Sequence, residues 1–254
     1  MTGKYIKIYG ERNTGTHYLD QLIRQNLDVH LLPGVLPKTL LQLARRLPGS
    51  EVIRDLFFRI SFPRNLGWKH SLVKPAKELQ QMDICRYDIL FITLTKNPYS
   101  WLLSLYKRPY HYKEDKISFE AFIVTPWRTV ERENAPLEFK NPIDMWNKKN
   151  ASYIAINGIF KVINLRYEDI LSHPQGVIME LKETFNLTNK HSEFINVTQS
   201  TKGDDIDFSY YQDYYLHEKW INELSHNAIK IINERIDDEI LSYLSYKKIT
   251  HNGK

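Results

Sequence analysis

Only one of the 254 residues is a cysteine, Cys85. One thiol cannot build an internal disulfide framework, and its isolation fits a reducing compartment. Its neighbours, Met82-Asp83-Ile84-Cys85-Arg86, offer no histidine at zinc-site spacing, so Cys85 reads as a small buried hydrophobe. Long hydrophobic runs are lacking too: the longest, Ile89 to Ile92, is far too short to cross a bilayer. No apolar signal region precedes the first strand-like run, so the expected location is cytoplasmic. Neither sign of charge dominates. Against 30 Asp and Glu stand 35 Lys and Arg, a net +5 that suits an anionic ligand but is too small to indicate nucleic-acid binding. Internal repeats and low-complexity tracts are absent as well.

What remains is an ordinary globular composition, 42% hydrophobic and 26% charged, in a chain long enough for one sizeable α/β domain. Three segments read as strands: Tyr5 to Tyr9, which alternates and meets Gly10; Ile89 to Leu94, nearly all apolar; and Phe160 to Leu165. A helical pattern follows each of them, carried by Tyr18, Leu19, Leu22 and Ile23, by Trp101, Leu102, Leu105 and Tyr106, and by Val177, Ile178, Leu181 and Phe185. Strand followed by helix, repeated, predicts an α/β three-layer sandwich around a central parallel sheet. A C-terminal helix is expected over about Ile221 to Ile236, with Ile221, Leu224, Ala228, Ile231 and Ile232 on its apolar face. From Leu31 to Asn65 prolines break the chain into short apolar-basic stretches. We read the chain as a single domain over 1–254, with a substrate-side insertion at about 31–65.

Gly10-Glu11-Arg12-Asn13-Thr14-Gly15-Thr16-His17 joins the first strand to its helix. Two glycines five apart let the backbone turn tightly and aim several N–H groups at one point, and the helix adds its partial positive charge. The P-loop of triphosphatases has a lysine after its second glycine and then a hydroxyl residue that holds magnesium. Thr16 and His17 stand there instead, so this phosphate-binding loop suits a nucleotide with one phosphate-like group at its 5′ end. A second anchor, Lys96-Asn97-Pro98, follows the most apolar strand. Asn97 is a good N-cap and Pro98 a good first helical residue, which sets Lys96 at the strand end and Ser104 two turns along the helix. Both motifs then lie at the carboxyl ends of parallel strands, where open α/β sheets bind ligands.

Together these motifs resemble those of sulfotransferases that use 3′-phosphoadenosine 5′-phosphosulfate (PAPS). Thr14, Gly15, Thr16 and His17 match the family's 5′-phosphosulfate loop without gaps, with Asn13 where the family usually has a base and Arg12 one position earlier. Lys96 and Ser104 match its 3′-phosphate motif, Lys96 replacing the more usual arginine. Tyr167-Glu168-Asp169 resembles an element near the adenine, and Thr201-Lys202-Gly203 a loop over the 3′-phosphate. Tyr243 to Tyr246 resembles a closing motif in which Ser245 replaces glycine. The resemblance implies cofactor binding by Arg12, Asn13, Thr14, Gly15, Thr16, His17, Lys96, Ser104, Tyr167, Lys202 and Gly203, with PAPS as sulfuryl donor and no metal.

Trp68-Lys69-His70 resembles the family's Lys-x-His element, which makes His70 the candidate general base, with Arg12 and Lys69 as further catalytic candidates. Glu11 is a rival base, and His111 a candidate for the acceptor pocket. The expected acceptor group is a hydroxyl or amine, on a carbohydrate or another small hydroxyl compound; Arg45, Arg46, Arg54, Arg59 and Arg64 could hold an anionic glycan or form a solvated basic face, and Leu40 to Leu47 could touch a membrane surface. Two alternatives stay open: a P-loop kinase using a triphosphate, and a non-enzymatic nucleotide- or RNA-binding protein.

Overall fold

The computed structural model describes residues 3–46, 49–110, 117–199 and 206–250. His111, Thr201, Lys202 and Gly203 lie outside them. Four parallel strands form the central sheet: β1 (Lys4–Gly10), β2 (His30–Leu31), β3 (Asp88–Thr95) and β4 (Lys161–Arg166), in the order β2-β1-β3-β4. The three longer strands sit within a residue or so of the runs read from sequence. The edge strand β2 is additional to them, since two residues carry no periodicity.

Alternation along β1 sets the layers. Ile6 and Ile8 face a core shared with Leu90, Ile92, Ile163 and Leu165, covered by α1 (Thr16–Asn26) through Leu19, Leu22 and Ile23. On the opposite face Tyr9 packs with Phe91, Leu66, Leu79 and Tyr153. Each fully buried Leu or Ile here contributes about 1.5–3 kcal/mol. Lys7 lies on that second face yet is fully buried, because its Nζ donates to the carbonyls of Asn65 at 2.7 Å and Gly67 at 2.5 Å. A third cluster joins α4 (Pro98–Lys107), which follows α2 and α3 below, to more C-terminal helices through Trp101, Leu105, Trp146 and Trp220.

The segment expected to be irregular is largely helical: α2 (Lys38–Arg46) and α3 (Ser50–Asn65), the latter with Pro63 inside it. Beyond α4, the chain forms α5 (Pro142–Ile154), α6 (Tyr167–Ser172), α7 (Pro174–Phe185), α8 (Phe208–Leu216), α9 (His226–Arg235) and α10 (Asp238–Tyr243). The expected C-terminal helix is therefore two pieces. Lys219–Glu223 is a short 3-10 turn, Leu224 is extended, and α9 begins only where the Ser225 side chain caps it by accepting from the Ala228 N–H. No helix among the described residues is long and apolar enough to cross a membrane.

Candidate functional site

Register brings the strand ends level. Gly10 pairs with Leu94 and Thr95 with Arg166, so the loop after β1, Lys96 after β3 and Tyr167 after β4 leave the sheet side by side. The loop is tightly made. Gly15 has φ 88°, and a Cβ there would fall 2.5 Å from the Tyr167 ring, so both backbone and neighbour demand glycine. Thr14 is buried with its hydroxyl donating to the Glu11 carbonyl at 2.6 Å, and Thr16 is buried at the start of α1. Asn13 also adopts a positive φ, 66°, and its buried amide nitrogen has no hydrogen-bond partner. An unsatisfied buried donor costs about 1–3 kcal/mol, which an incoming anion would relieve.

Two cavities share this loop. One, about 50 Å³, is lined by Asn13, Gly15, Lys96, Tyr167, Phe208 and Tyr215 among others. Lys96 is 1% exposed, and its Nζ donates to Ser104 Oγ at 2.8 Å and lies 3.8 Å from the centroid of the Tyr215 ring. Burial pulls its pKa down to about 7, against the pull of Glu168. No carboxylate among the described residues forms an ion pair with it. Glu168 is occupied otherwise: it accepts from the Asn97 N–H at 3.0 Å and the Tyr246 hydroxyl at 2.7 Å, tying the strand ends to the C-terminal segment.

The second cavity, about 560 Å³, is lined on the other side of the loop by Arg12, Thr16, His17, Trp68 and His70, and by α2 and α3 residues including Leu41 and Phe58. Arg12 lies between two rings, 3.7 Å from the centroid of Tyr110 and 4.9 Å from that of Trp68. His70 Nδ1 lies 2.5 Å from the Gly10 carbonyl. A carbonyl only accepts, so the proton sits on Nδ1 and the lone pair on Nε2. Burial first, then the neighbouring Lys69 charge, holds His70 well below the usual imidazole range, keeping it neutral and able to accept a proton.

Lys69 departs from this grouping. It lines a neighbouring cavity with Thr16, His17 and Asp20 rather than the one His70 lines, and burial lowers it to about 8. Glu11 has no oxygen to spare for base chemistry. It accepts from Tyr110 at 2.6 Å, from the Arg12 N–H at 2.6 Å and from Lys149, which also binds Glu133 at 2.7 Å and the His70 carbonyl at 2.7 Å. Sequence reasoning missed this ion cluster, because Glu11, Glu133 and Lys149 lie far apart along the chain. It also missed Tyr211 and Tyr215, whose i, i+4 spacing on a tyrosine-rich helix was the available signal.

No protein-family model matches the chain, and no curated protein matches it. Among solved structures, the mouse sulfotransferase SULT7A1 complexed with PAP is similar over 97% of this chain and 90% of its own, at 14% identity and a TM-score of 0.53. A sulfotransferase from Alicyclobacillus acidocaldarius is similar over 92% of this chain and 96% of its own, at 15% identity and a TM-score of 0.46. The likeness to the mouse protein is one of fold: the chain has the α/β architecture seen in that sulfotransferase, with a central parallel sheet and a P-loop-like turn.

Proposed function

We propose that this protein is a sulfotransferase that moves a sulfuryl group from PAPS to an acceptor hydroxyl or amine, with a carbohydrate as the acceptor class. The observation that carries the reading is that Gly15 and Lys96, 81 positions apart in sequence, line one cavity at the ends of adjacent strands. A nucleotide with anionic groups at its 3′ and 5′ positions needs such a pair of cationic or N–H-rich anchors. The resemblance of motifs and the likeness of fold point the same way. The loop's lack of a P-loop lysine argues against a triphosphate kinase.

In this reading the acceptor oxygen bonds to sulfur as the bond from sulfur to the phosphate oxygen breaks, leaving adenosine 3′,5′-bisphosphate. His70 Nε2 takes the acceptor proton. Arg12 and the free amide of Asn13 stand at the cavity shared with the loop and stabilise the departing negative charge. Lys96, with Ser104, holds the 3′-phosphate, and Tyr167 backs the loop. By the resemblance, Lys202 and Gly203 bind that phosphate and His17 the phosphosulfate, while Lys69, in the neighbouring cavity that His17 also lines, adds positive potential there.

Thermal-shift measurements with adenosine 3′,5′-bisphosphate, AMP, and ATP with magnesium test the nucleotide. Selective stabilisation by the bisphosphate is expected, at about 2.7 kcal/mol for ligand at one hundred times Kd. Preference for ATP with magnesium would instead make the protein a triphosphate enzyme.

A further inference from the structure

The larger cavity says something about the acceptor's charge. Five of its lining residues are Lys or Arg (Arg12, Lys38, Arg54, Arg108 and Arg132), and none is Asp or Glu. Two of these charges are answered by carboxylates outside the lining. Arg132 is gripped by Asp55 at 2.7 Å and Glu51 at 2.5 Å, and Arg12 feels the opposite charges of Glu11 and Glu133. Arg54 and Lys38 differ. Lys38 makes no ion pair among the described residues. Arg54 is fastened by one nitrogen only, Nη1, to Glu51 at 3.0 Å, while its Nε is buried and has no hydrogen-bond partner.

That arrangement leaves a specific shape open. A guanidinium bound through Nη1 keeps its Nε–Nη2 edge, two parallel N–H donors spaced for a pair of anionic oxygens. An Nε buried with no acceptor is costly unless something fills it. The same cavity is also lined by the apolar side chains of Leu41, Phe58 and Trp68. We propose that the acceptor carries a fixed anionic group, a carboxylate, sulfate or phosphate, which docks on the free edge of Arg54 with Lys38 beside it, while its apolar body or sugar face lies on Phe58 and Trp68. This rests on the sulfotransferase reading for calling the occupant an acceptor. Arg54 and Lys38 are specificity residues in it; neither touches the reacting atoms.

A matched series tests it: 4-nitrophenyl β-glucoside, the corresponding glucuronide, and the glucoside 6-sulfate and 6-phosphate. Each is titrated calorimetrically into protein saturated with adenosine 3′,5′-bisphosphate. At least one anionic member should bind about tenfold or more tighter than the neutral glucoside, as a charge-assisted hydrogen-bond pair implies. The three anions separate the possible group chemistries. Arg54→Gln should erase the preference, Arg54→Lys should restore only part of it, and Lys38→Gln should weaken it with the fold untouched. Equal binding across the series, no binding by any member, or a preference that survives both Arg54→Gln and Lys38→Gln would overturn the proposal. Bisphosphate binding is read separately in each titration: its presence without anion preference sinks only this inference, while its absence sinks the reading beneath it.

Discussion

Burial acts on His70 and Lys96 in the same direction, and with different consequences. For His70 it disfavours the imidazolium, so the neutral base persists through the neutral range and is lost only when pH falls well below 6.5. The acid limb of the kcat/KM profile should therefore lie below pH 6.5. His70→Ala should cut sulfuryl transfer by about two to four powers of ten while leaving bisphosphate affinity in place. Turnover near that of the natural protein, or an acid limb at or above pH 6.5, removes His70 from the chemistry.

For Lys96 the lowered pKa, about 7, means that the free protein near neutrality is only partly charged there. A 3′-phosphate favours the ammonium, so binding takes up a proton. The sign follows: affinity for adenosine 3′,5′-bisphosphate should be fully developed below pH 7 and weaken as pH rises past it, by up to about tenfold per unit. AMP, without the 3′-phosphate, should show little of this trend, and Lys96→Ala should abolish it. Calorimetry in buffers of different ionisation enthalpy reads the proton directly; flat affinity from acid to alkaline pH would contradict the assignment.

Elements were legible in the sequence where one physical signal dominated. A nearly continuous apolar run marked β3, alternation marked β1, and Asn97-Pro98 announced α4: the Asn97 side chain accepts from the Tyr99 N–H at 3.1 Å, with Pro98 as the first helical residue. The loop glycines and Lys96 could be read because chain direction alone puts both at strand ends. Legibility failed where signals competed. In α3, Val52 and Ile60 are 69% and 70% exposed while Phe58 is buried, so apolar residues on both sides of the helix blur its period, and Pro63 reads as a stop. At the C-terminal side the sequence pattern ran through Leu224, and only the cap at Ser225 shows where α9 begins.

One departure from the resembled family's pattern is explained at this scale. Ser245 follows α10 with φ 58°, the left-handed region where glycine is at ease. Its side chain is exposed and its backbone N–H donates to the Ser242 carbonyl at 2.9 Å. Ser245→Gly should therefore stabilise the protein, by about 0.5–1 kcal/mol, because it relieves backbone strain and keeps that hydrogen bond. Urea denaturation measures it, and a drop in stability would show the serine side chain to matter.

Across the whole molecule, the ion cluster binds four distant stretches of chain: Glu11 after β1, His70, Glu133 and Lys149 in α5. Burial alone would lower Lys149, but the two carboxylates outweigh it and hold its pKa above the ordinary lysine value. Taking the cation away leaves two carboxylates facing each other without water. Lys149→Met should cost about 3–5 kcal/mol in urea denaturation, and adding Glu11→Gln with Glu133→Gln should recover much of it. A single variant as stable as the natural protein would mean the cluster is not closed as described. Nothing in the sequence foretold this cluster, since its members come from segments that only the folded chain brings together.

The turn carrying Asn13 and Gly15 is a party wall. These two residues are the ones common to both compartments; the remaining lining of each comes from different parts of the chain, Tyr167, Phe208 and Tyr215 on one side, α2 and α3 on the other. On the proposed sulfotransferase reading, replacing α2 and α3 with the helical pair of a differently selective cousin should change what is modified without changing what is spent.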